Sequence, residues 1–314
     1  MRAVTISSRQ IVVVDRPDPE PGTGEVLVRI RAAGLNNGDL LQLMGLYPAP
    51  PGSPPDIPGL ELAGEVIGLG AAVSRFSLGD RVMAVVGGGA QAELAVVHER
   101  AAMPMPDCLD WHQAGAIPEA CTTAHDAMFT QCGLGMGERV CISGGAGGVG
   151  TSAVILAVAA GARVTATVRN PDLREGVANL GAEVVAPEEF EARGPFDVIL
   201  ELIGGPNLPA DLRALSIGGR ISVIGAGAGT SAEIDLLTLM AKRARIFGST
   251  LRSRPLEQRA EAARRLEAHV LPLFAGGRHE VPIAGLYPLE EASAAYARFA
   301  AGSKLGKLVL TAAC

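Results

Sequence analysis

The glycine-rich segment 144–150, which reads GGAGGVG, has residue types and a spacing that can bind a phosphate group. Gly145, Gly147 and Gly150 fit the G-x-G-x-x-G pattern of dinucleotide sites. In that pattern glycine permits a tight turn, a close approach of the backbone to a pyrophosphate, and close packing of a helix on a strand. A glycine-rich surface loop is the alternative interpretation, and the flanking segments decide between the two.

A strand and a helix are predicted on either side of the glycine segment. Residues 140–142 form a short apolar run of the kind that makes a buried parallel strand. An Ala/Val/Leu-rich stretch that begins near Thr151 has helical length, and a second strand follows at 163–168. Such a helix directs free N–H groups and the positive end of its dipole at a phosphate. We therefore predict that a dinucleotide binds at Gly145, Gly147, Gly148, Val149 and Gly150.

The residues that end the second predicted strand indicate which nucleotide binds. An Asp or Glu at this position would hydrogen bond to the ribose hydroxyls of NAD. The sequence reads TVRNP over 167–171, with no acidic residue and with Arg169 placed to pair with a 2′-phosphate. We predict NADPH as the cofactor, bound in part by Arg169.

The order of the predicted elements indicates an α/β fold with two domains. Strands alternate with helical segments between residues 118 and 255, which predicts a doubly wound parallel sheet of the Rossmann type. The strands predicted there are 139–142, 163–168, 196–202, 220–224 and 245–249. Residues 1–117 are β-rich with glycine turns, and residues 256–314 return through strands at 287–289 and 308–310. We predict one domain from 1–117 with 256–314, and a nucleotide-binding domain from 118–255.

Composition excludes several functional classes. The 314 residues carry a net charge of −6 and only 4% aromatic residues, so neither the basic surface nor the stacking platform of a nucleic-acid-binding protein is expected. No apolar run is long enough to span a membrane, and the N-terminus lacks a signal-peptide pattern. The five cysteines have no zinc or disulfide spacing. We expect a cytoplasmic protein with reduced thiols.

Three longer segments resemble one protein family. They read LNNGDLLQLMGLYPAPPG at 35–52, IPGLELAGEV at 57–66 and GSTLRSRP at 248–255. They resemble the zinc-free quinone oxidoreductases of the zeta-crystallin type. The order of the domains resembles the medium-chain dehydrogenase/reductase superfamily, to which that family belongs, over essentially the whole chain. It implies a β-rich GroES-like catalytic domain beside the Rossmann domain. It also implies a homodimer, formed through the edge strand near 245–249.

The positions at which zinc-dependent relatives bind their catalytic metal hold other residues in this sequence. Asn36 stands where those relatives carry Cys, and Leu60 stands where they carry His. Glu119 and scattered cysteines cannot supply the missing ligands of an open zinc site. The four closely spaced Cys of a structural zinc lobe are also missing between residues 87 and 100. We predict that no metal is bound.

Without a metal to polarise a carbonyl, hydride transfer needs an acceptor that is already electron-poor. Quinones and α,β-unsaturated carbonyls meet this condition, in agreement with the resemblance. Catalysis would then depend on proximity, exclusion of water and hydrogen bonds to the developing oxyanion. Asn36 and Tyr47 match the Asn and Tyr of the family's N-x-x-D-x-x-x-x-x-G-x-Y pattern and are the candidate catalytic residues. A packing role for Tyr47, a turn role for Asn36 and a capping role for Asp39 are the alternatives.

Further positions are assigned by matching motifs of the family. Thr123 matches a T-A segment near the nicotinamide or the phosphates, Gly225 would let the backbone pass the cofactor, and Lys307 matches a Gly-Lys pair before the last strand. Glu201 stands where relatives often carry Asp or Asn, and it is therefore not counted among the predicted cofactor residues. Leu173 replaces a Lys that relatives use for the phosphate. Besides the glycine segment, the predicted cofactor residues are therefore Thr123, Arg169, Gly225 and Lys307.

Three functions are compatible with these features. The first is an NADPH-dependent reductase of a quinone or a related conjugated carbonyl. The second is an enoyl or alkenal reductase in a biosynthetic or detoxification pathway. The third belongs to another class, an NADPH-binding structural or sensor protein without catalysis.

Overall fold

The computed structural model describes residues 1–277 and 279–312, which divide into two compact units. Unit 1 comprises Met1–Thr122, Leu251–Gly302 and the chain from Lys307 onwards, and unit 2 comprises Thr123–Thr250 and Ser303–Gly306. The short segment Ser303–Gly306 lies with unit 2, and the domain limits given by the sequence stay a prediction.

As predicted from the sequence, the first part of the chain consists mainly of strands, and strands alternate with helices in the second part. The strands are β1 (Arg2–Ser7), β2 (Gln10–Asp15), β3 (Glu25–Gly34), β4 (Glu61–Leu69), β5 (Arg81–Val85), β6 (Leu94–His98), β7 (Ala102–Pro104), β8 (Arg139–Ser143), β9 (Arg163–Thr167), β10 (Glu183–Val185), β11 (Phe196–Glu201), β12 (Leu215–Val223), β13 (Arg245–Gly248), β14 (Ile283–Pro288) and β15 (Lys307–Thr311).

The helices are short except in two places. They are α1 (Asn37–Leu43), α2 (Trp111–Ala116), α3 (Pro118–His125), α4 (Gly148–Ala159), α5 (Arg174–Ala178), α6 (Leu208–Ala214), α7 (Leu236–Lys242), α8 (Leu256–His269), α9 (Leu271–Ala275) and α10 (Ala292–Ala300). Asp126–Gln131 continues α3 as a π-helix. Among the described residues, no helix combines the length and hydrophobicity that a membrane-spanning segment needs.

Unit 1 is built on a mostly antiparallel sheet in the order β14-β15-β3-β4-β5-β7, with β6 also paired to β3. The central strand β3 alternates along its length, so that Val26, Val28 and Ile30 are buried against the core while intervening residues are more exposed. β15 returns from the C-terminal part of the chain and pairs antiparallel with β3. The late strands therefore complete the first sheet, as the sequence predicted.

Unit 2 is a parallel six-stranded sheet in the order β10-β9-β8-β11-β12-β13. Numbered within the unit this is the order 3-2-1-4-5-6 of the dinucleotide-binding fold. Its switch point lies between β8 and β11, because the crossovers run in opposite directions from these two strands. The predicted α/β class, with a doubly wound parallel sheet in one unit and a β-rich second unit, is confirmed.

The helix after the glycine segment differs from its prediction in one respect. α4 begins at Gly148 and not near Thr151, so Gly148, Val149 and Gly150 form its first turn. Glycine has a poor helix propensity, so glycines in the first turn do not predict the start of a helix. Residues 150–157 are all buried, as expected for an apolar helix packed on a parallel sheet. The helix thus points its first turn directly at the loop that follows β8.

Candidate active site

The glycine segment in unit 2 is tied to the two adjacent strand ends. Gly145 N donates to Thr167 O at 3.0 Å, and Gly144 N donates to the Thr167 hydroxyl at 3.1 Å. Gly147 and Gly306 form an isolated bridge, and Gly306 N donates to Ala146 O at 2.8 Å. The turn is therefore fixed from β9 on one side and from the segment 303–306 on the other.

The three glycines of the pattern have distinct surroundings. A Cβ on Gly145 would lie 2.8 Å from Ala166 Cβ, and a Cβ on Gly150 would lie 2.3 Å from Gly144 O. Both positions need glycine for close packing. A Cβ on Gly147 would meet only Gly144 O, at 3.8 Å, so this position faces open space. In the dinucleotide pattern, the glycine at this position lets the backbone approach a pyrophosphate closely.

The first turn of α4 offers donors to that space. Gly148, Val149 and Gly150 are its first three residues, and their N–H groups have no acceptor within the helix. The N-cap is Gly147, which has no side chain to cap them, whereas Thr151 N donates back to Gly147 O at 2.8 Å. The turn, the open glycine and the free amides together fit a nicotinamide dinucleotide.

Arg169 lies just beyond β9, next to this turn. Its side chain is exposed and makes no hydrogen bond or ion pair with the described residues. Arg174 is different, because its Nε donates to Val168 O at 3.0 Å and folds back onto the strand end. Asn170 accepts from Asp172 N at 3.0 Å and fixes the turn between them. Arg169 therefore presents an unpaired cation at the end of the second strand.

Gly225 and Thr123 are both closely packed residues of unit 2. A Cβ on Gly225 would lie 2.0 Å from Leu202 O, and its N–H donates to Glu201 O at 3.1 Å, so glycine lets the chain pass the end of β11. Thr123 is buried in α3, one turn before the π-helix. Glu201 is fully buried and faces its own loop, with Oε1 accepting from Ile203 N and Gly204 N.

A second group of polar residues is buried in unit 1 around an ion pair. Lys307 Nζ donates to Glu61 Oε1 at 2.5 Å, to Asn36 Oδ1 at 2.6 Å and to Leu35 O at 2.9 Å. Both charged side chains are almost completely shielded from solvent. The ammonium group thus uses all three donors inside unit 1 and has none left for a nucleotide. The structure therefore places Lys307 in this buried network, and its role toward the cofactor stays a prediction.

Asn36 is fixed by the same network. Its Nδ2 donates to Glu61 Oε1 at 2.9 Å and to Gly34 O at 3.2 Å, while its Oδ1 accepts from Lys307. Both amide hydrogens are used, so Asn36 has no free donor for a substrate oxyanion in this conformation. Asn36 therefore stabilises the turn after β3 and also belongs to the buried polar network. The residue type alone does not predict the second contact.

Two carboxyl groups flank the ion pair and are perturbed by burial. Glu119 N donates to Glu61 Oε2 at 2.8 Å, while its own Oε2 is buried without a partner among the described residues. Burial, followed by repulsion from Glu61, raises the pKa of Glu119 to about 8. Asp39 accepts from Asn36 N at 2.8 Å and Gly59 N at 3.0 Å, and burial raises its pKa to about 6. Asp39 therefore caps α1 and fixes the loop at Gly59.

Tyr47 is held in place by an arginine that the sequence did not single out. The guanidinium of Arg252 lies 4.9 Å from the centre of the Tyr47 ring, and Nη1 donates to Tyr47 O at 2.6 Å. Arg252 also donates to Gly87 O at 2.7 Å and to Gln42 Oε1 at 2.5 Å. It thereby connects the Pro-rich loop to α1. Its only sequence signal was its place in the segment GSTLRSRP.

The residues of a catalytic zinc site are missing in the described parts of the chain. Asn36 is committed to the ion-pair network, and Leu60 is a buried apolar residue. Within 1–277 and 279–312, no group of three or more His, Cys, Asp or Glu side chains is arranged to hold a metal ion. Cys108, Cys121, Cys132 and Cys141 form no disulfide bond, and Cys314 lies outside the described residues.

Comparisons with known proteins agree with this organisation. The alcohol dehydrogenase GroES-like domain matches residues 22–107, and the zinc-binding dehydrogenase family matches residues 148–268. The quinone oxidoreductase of Rattus norvegicus is 33% identical over 305 residues, which cover 93% of this chain and 90% of that protein. The acryloyl-coenzyme A reductase of Metallosphaera sedula is 30% identical over 344 residues, covering 99% and 100%.

Solved structures are similar to this chain over its whole length. The crystal structure of an alcohol dehydrogenase superfamily protein from Novosphingobium aromaticivorans has a TM-score of 0.87 with this chain. It is 30% identical in sequence, and the match covers 99% of each chain. The similarity therefore extends over both units.

Proposed function

Because this chain belongs to the quinone oxidoreductase family of the medium-chain dehydrogenase/reductase superfamily, we propose that it reduces a quinone, or a similar electron-poor conjugated carbonyl, with NADPH. The single observation that carries the proposal is the turn at Gly147, where open space over the backbone meets the free amides of α4. A bound nicotinamide cofactor would supply the hydride. The chain's own residues bind and orient the two reactants and keep water from them.

NADPH, rather than NADH, is the cofactor we propose. The pyrophosphate would lie over Gly147 and accept from the amides of Gly148 and Val149. The exposed, unpaired guanidinium of Arg169 is available for the 2′-phosphate. No acidic side chain follows β9 to bind free ribose hydroxyls, since residues 168–171 read VRNP.

Substitution Arg169→Ala should weaken NADPH binding while leaving NADH binding almost unchanged. A charge-assisted hydrogen bond contributes about 1.5–3 kcal/mol, so the dissociation constant for NADPH should rise roughly 10- to 150-fold. Fluorescence titration of both nucleotides measures this. Arg163→Ala, at the exposed start of β9, is the matched control and should change neither constant. Equal losses for the two nucleotides would refute the assigned role of Arg169.

We further propose that the reaction needs no metal ion. The residues at the two zinc-ligand positions support this proposal. Leu60 offers no metal ligand, and Asn36 is hydrogen bonded to Lys307 and Glu61. An acceptor activated by its own conjugation fits this arrangement. Tyr47 is the proposed hydrogen-bond donor to the developing oxyanion, and Arg252 positions its ring. We propose that Asn36 lines the substrate pocket as a member of this network. It does not itself donate a hydrogen bond to the substrate.

A second candidate function is the reduction of an enoyl thioester. It is favoured by the similarity to the acryloyl-coenzyme A reductase of Metallosphaera sedula along the whole length of both chains. Turnover of NADPH with a benzoquinone, an alkenal and an enoyl thioester distinguishes the two enzymes. Faster turnover with the quinone is the expected result. Tight NADPH binding without turnover of any acceptor would favour a non-catalytic binding protein.

We also propose a homodimer formed through the edge of the parallel sheet. β13 is the last strand of that sheet, and its outer edge pairs with no strand in the described chain. The neighbouring strand β12 and the helix α7, which contacts β12, carry four large apolar side chains that are between 65% and 76% exposed: Ile217, Leu236, Leu237 and Met240. An unpaired strand edge beside an exposed apolar patch suits a two-fold symmetric interface.

The double substitution Leu237→Glu with Met240→Glu should convert the dimer to a monomer. Two carboxylates on each copy would meet near the two-fold axis and would lose their hydration on association. Light scattering after size-exclusion chromatography measures the mass. Leu78→Glu, which changes a residue that is 64% exposed in unit 1, is the control and should leave the dimer intact. A dimer that survives the double substitution would place the interface elsewhere.

A further inference from the structure

A small cavity lies within unit 1, between the helix α8 and the strands β5 and β7. Its empty space is about 320 Å³, part of it open to solvent, and all of its lining residues belong to unit 1. Six of these residues are apolar: Val85, Ala101, Met103, Leu251, Ala262 and Ala263. The walls of the cavity are therefore mainly apolar, and no residue of the glycine turn contributes to them.

The sequence of α8 explains why this space is not filled. Arg259, Ala262, Ala263 and Leu266 recur at the spacing of one helix face, and α8 packs against β7 and β5. Leu266 fills its part of this interface and is 1% exposed. The two alanines occupy less volume, so a cavity remains beside them, and Arg259 lines the same cavity.

Arg259 has no counter-charge in the described chain. The other two arginines of α8 are paired, Arg264 with Glu267 and Arg265 with Glu261. The Nε atom of Arg259 is shielded from solvent and donates to no acceptor, and its side chain makes no ion pair with the described residues. A buried donor without an acceptor is costly. The cavity therefore presents a cation that lacks its anion.

A second unpartnered donor lines the same cavity. Thr122 lies in α3 and is 4% exposed, and its hydroxyl is buried without a hydrogen-bond partner in residues 1–277 and 279–312. Arg254 also lines the cavity and adds positive charge to it. Buried polar groups almost always have partners, so two unpartnered donors on one cavity indicate that a bound molecule supplies the acceptors.

We propose that this cavity binds a small aliphatic monocarboxylate. The carboxylate accepts from Arg259 Nε and from the Thr122 hydroxyl, and its planar shape matches that of a guanidinium group. The hydrocarbon part contacts the apolar walls. A single negative charge balances the one unpaired guanidinium, whereas inorganic phosphate would leave the walls without a partner. The site is independent of the proposed function, because it needs neither the nucleotide turn nor an electron acceptor.

The test is a calorimetric titration of butanoate into the full chain at pH 7, without nucleotide. We expect saturable binding, and at least roughly tenfold weaker binding of butanamide, which keeps the shape and lacks the charge. Inorganic phosphate, which lacks the hydrocarbon part, should also bind more weakly. Equal affinity for butanoate and butanamide would overturn the proposal. Absence of saturable binding would show that the cavity holds only water and would overturn it too, and neither result bears on nucleotide binding.

The variant Arg259→Gln should raise the dissociation constant for butanoate roughly 10- to 150-fold, because it removes the charge-assisted hydrogen bond. Arg265→Gln is the matched control on the same helix, since Arg265 pairs with Glu261 and does not line the cavity. It should leave the affinity unchanged. Native affinity in Arg259→Gln would overturn the proposed site.

The variant Thr122→Val separates ligand binding from stability. It replaces the hydroxyl with a methyl group of similar size and should raise the dissociation constant for butanoate roughly 2- to 12-fold. Because the buried hydroxyl has no partner in the described chain, the melting temperature without butanoate should stay level or rise. Unchanged affinity for butanoate, or a lower melting temperature without it, would overturn the assigned contact of Thr122.

Discussion

Replacing Lys307 by methionine should lower the free energy of unfolding of unit 1 by about 3–5 kcal/mol, because it leaves the carboxylate of Glu61 buried without its counter-charge. Lys307 is 1% exposed and Glu61 is completely buried, and their charged atoms lie 2.5 Å apart. The substitution also removes a donor from Asn36. The measurement is urea unfolding followed by the fluorescence of Trp111, the only tryptophan of the chain, which lies in unit 1.

Two variants make this prediction specific to the buried pair. In the double variant Lys307→Met with Glu61→Gln, the neutral amide can still accept from Glu119 N, so about half of the lost stability should return. Arg100→Met breaks the exposed ion pair with Glu257 in the same unit and should leave the unfolding midpoint almost unchanged. If Lys307→Met lowered the free energy of unfolding by less than about 1 kcal/mol, the pair would not be a major source of stability in unit 1, which would contradict the prediction.

The substitution Gly147→Ala should abolish most nucleotide binding without disturbing the fold. Gly147 has φ −72° and ψ 171°, a conformation that alanine adopts freely, and its new methyl group would meet no protein atom closer than 3.8 Å. The methyl group would instead occupy the space proposed for the pyrophosphate. Overpacking costs about 1–3 kcal/mol, which corresponds to a roughly 5- to 150-fold higher dissociation constant for NADPH.

Neighbouring glycines provide the comparison for Gly147→Ala. Gly150→Ala should destabilise unit 2 itself, because the added Cβ would lie 2.3 Å from Gly144 O and 2.8 Å from Gly145. Gly135→Ala adds a methyl group that would meet only Glu138 Oε2, at 3.7 Å, and should change neither property. Thermal unfolding and NADPH titration of the three variants separate the roles. Native affinity in Gly147→Ala would show that no pyrophosphate lies over this turn.

The nucleotide unit could largely be predicted from the sequence because its signals are local. Apolar runs mark β8, β9 and β11, and the spacing of Gly145, Gly147 and Gly150 marks the turn. The short strands β6, β7 and β10 were missed, since strands of three to five residues depend on pairing partners elsewhere in the chain. The start of α4 was placed three residues late because two of its first three residues are glycine.

The polar networks could not be predicted in the same way because their members are far apart in sequence. Lys307 and Glu61 are separated by 246 residues, and Arg252 reaches Gln42 across 210 residues. The sequence showed that Lys307 precedes a strand but not that its ammonium group would be buried against a carboxylate.

The most direct test of the account is the rate of NADPH oxidation with a benzoquinone, measured before and after dialysis against a strong chelator. We predict the same turnover in both samples, together with no turnover of a simple unconjugated ketone. Turnover that is lost on chelation and restored by Zn²⁺ would contradict hydride transfer to an acceptor activated by its own conjugation.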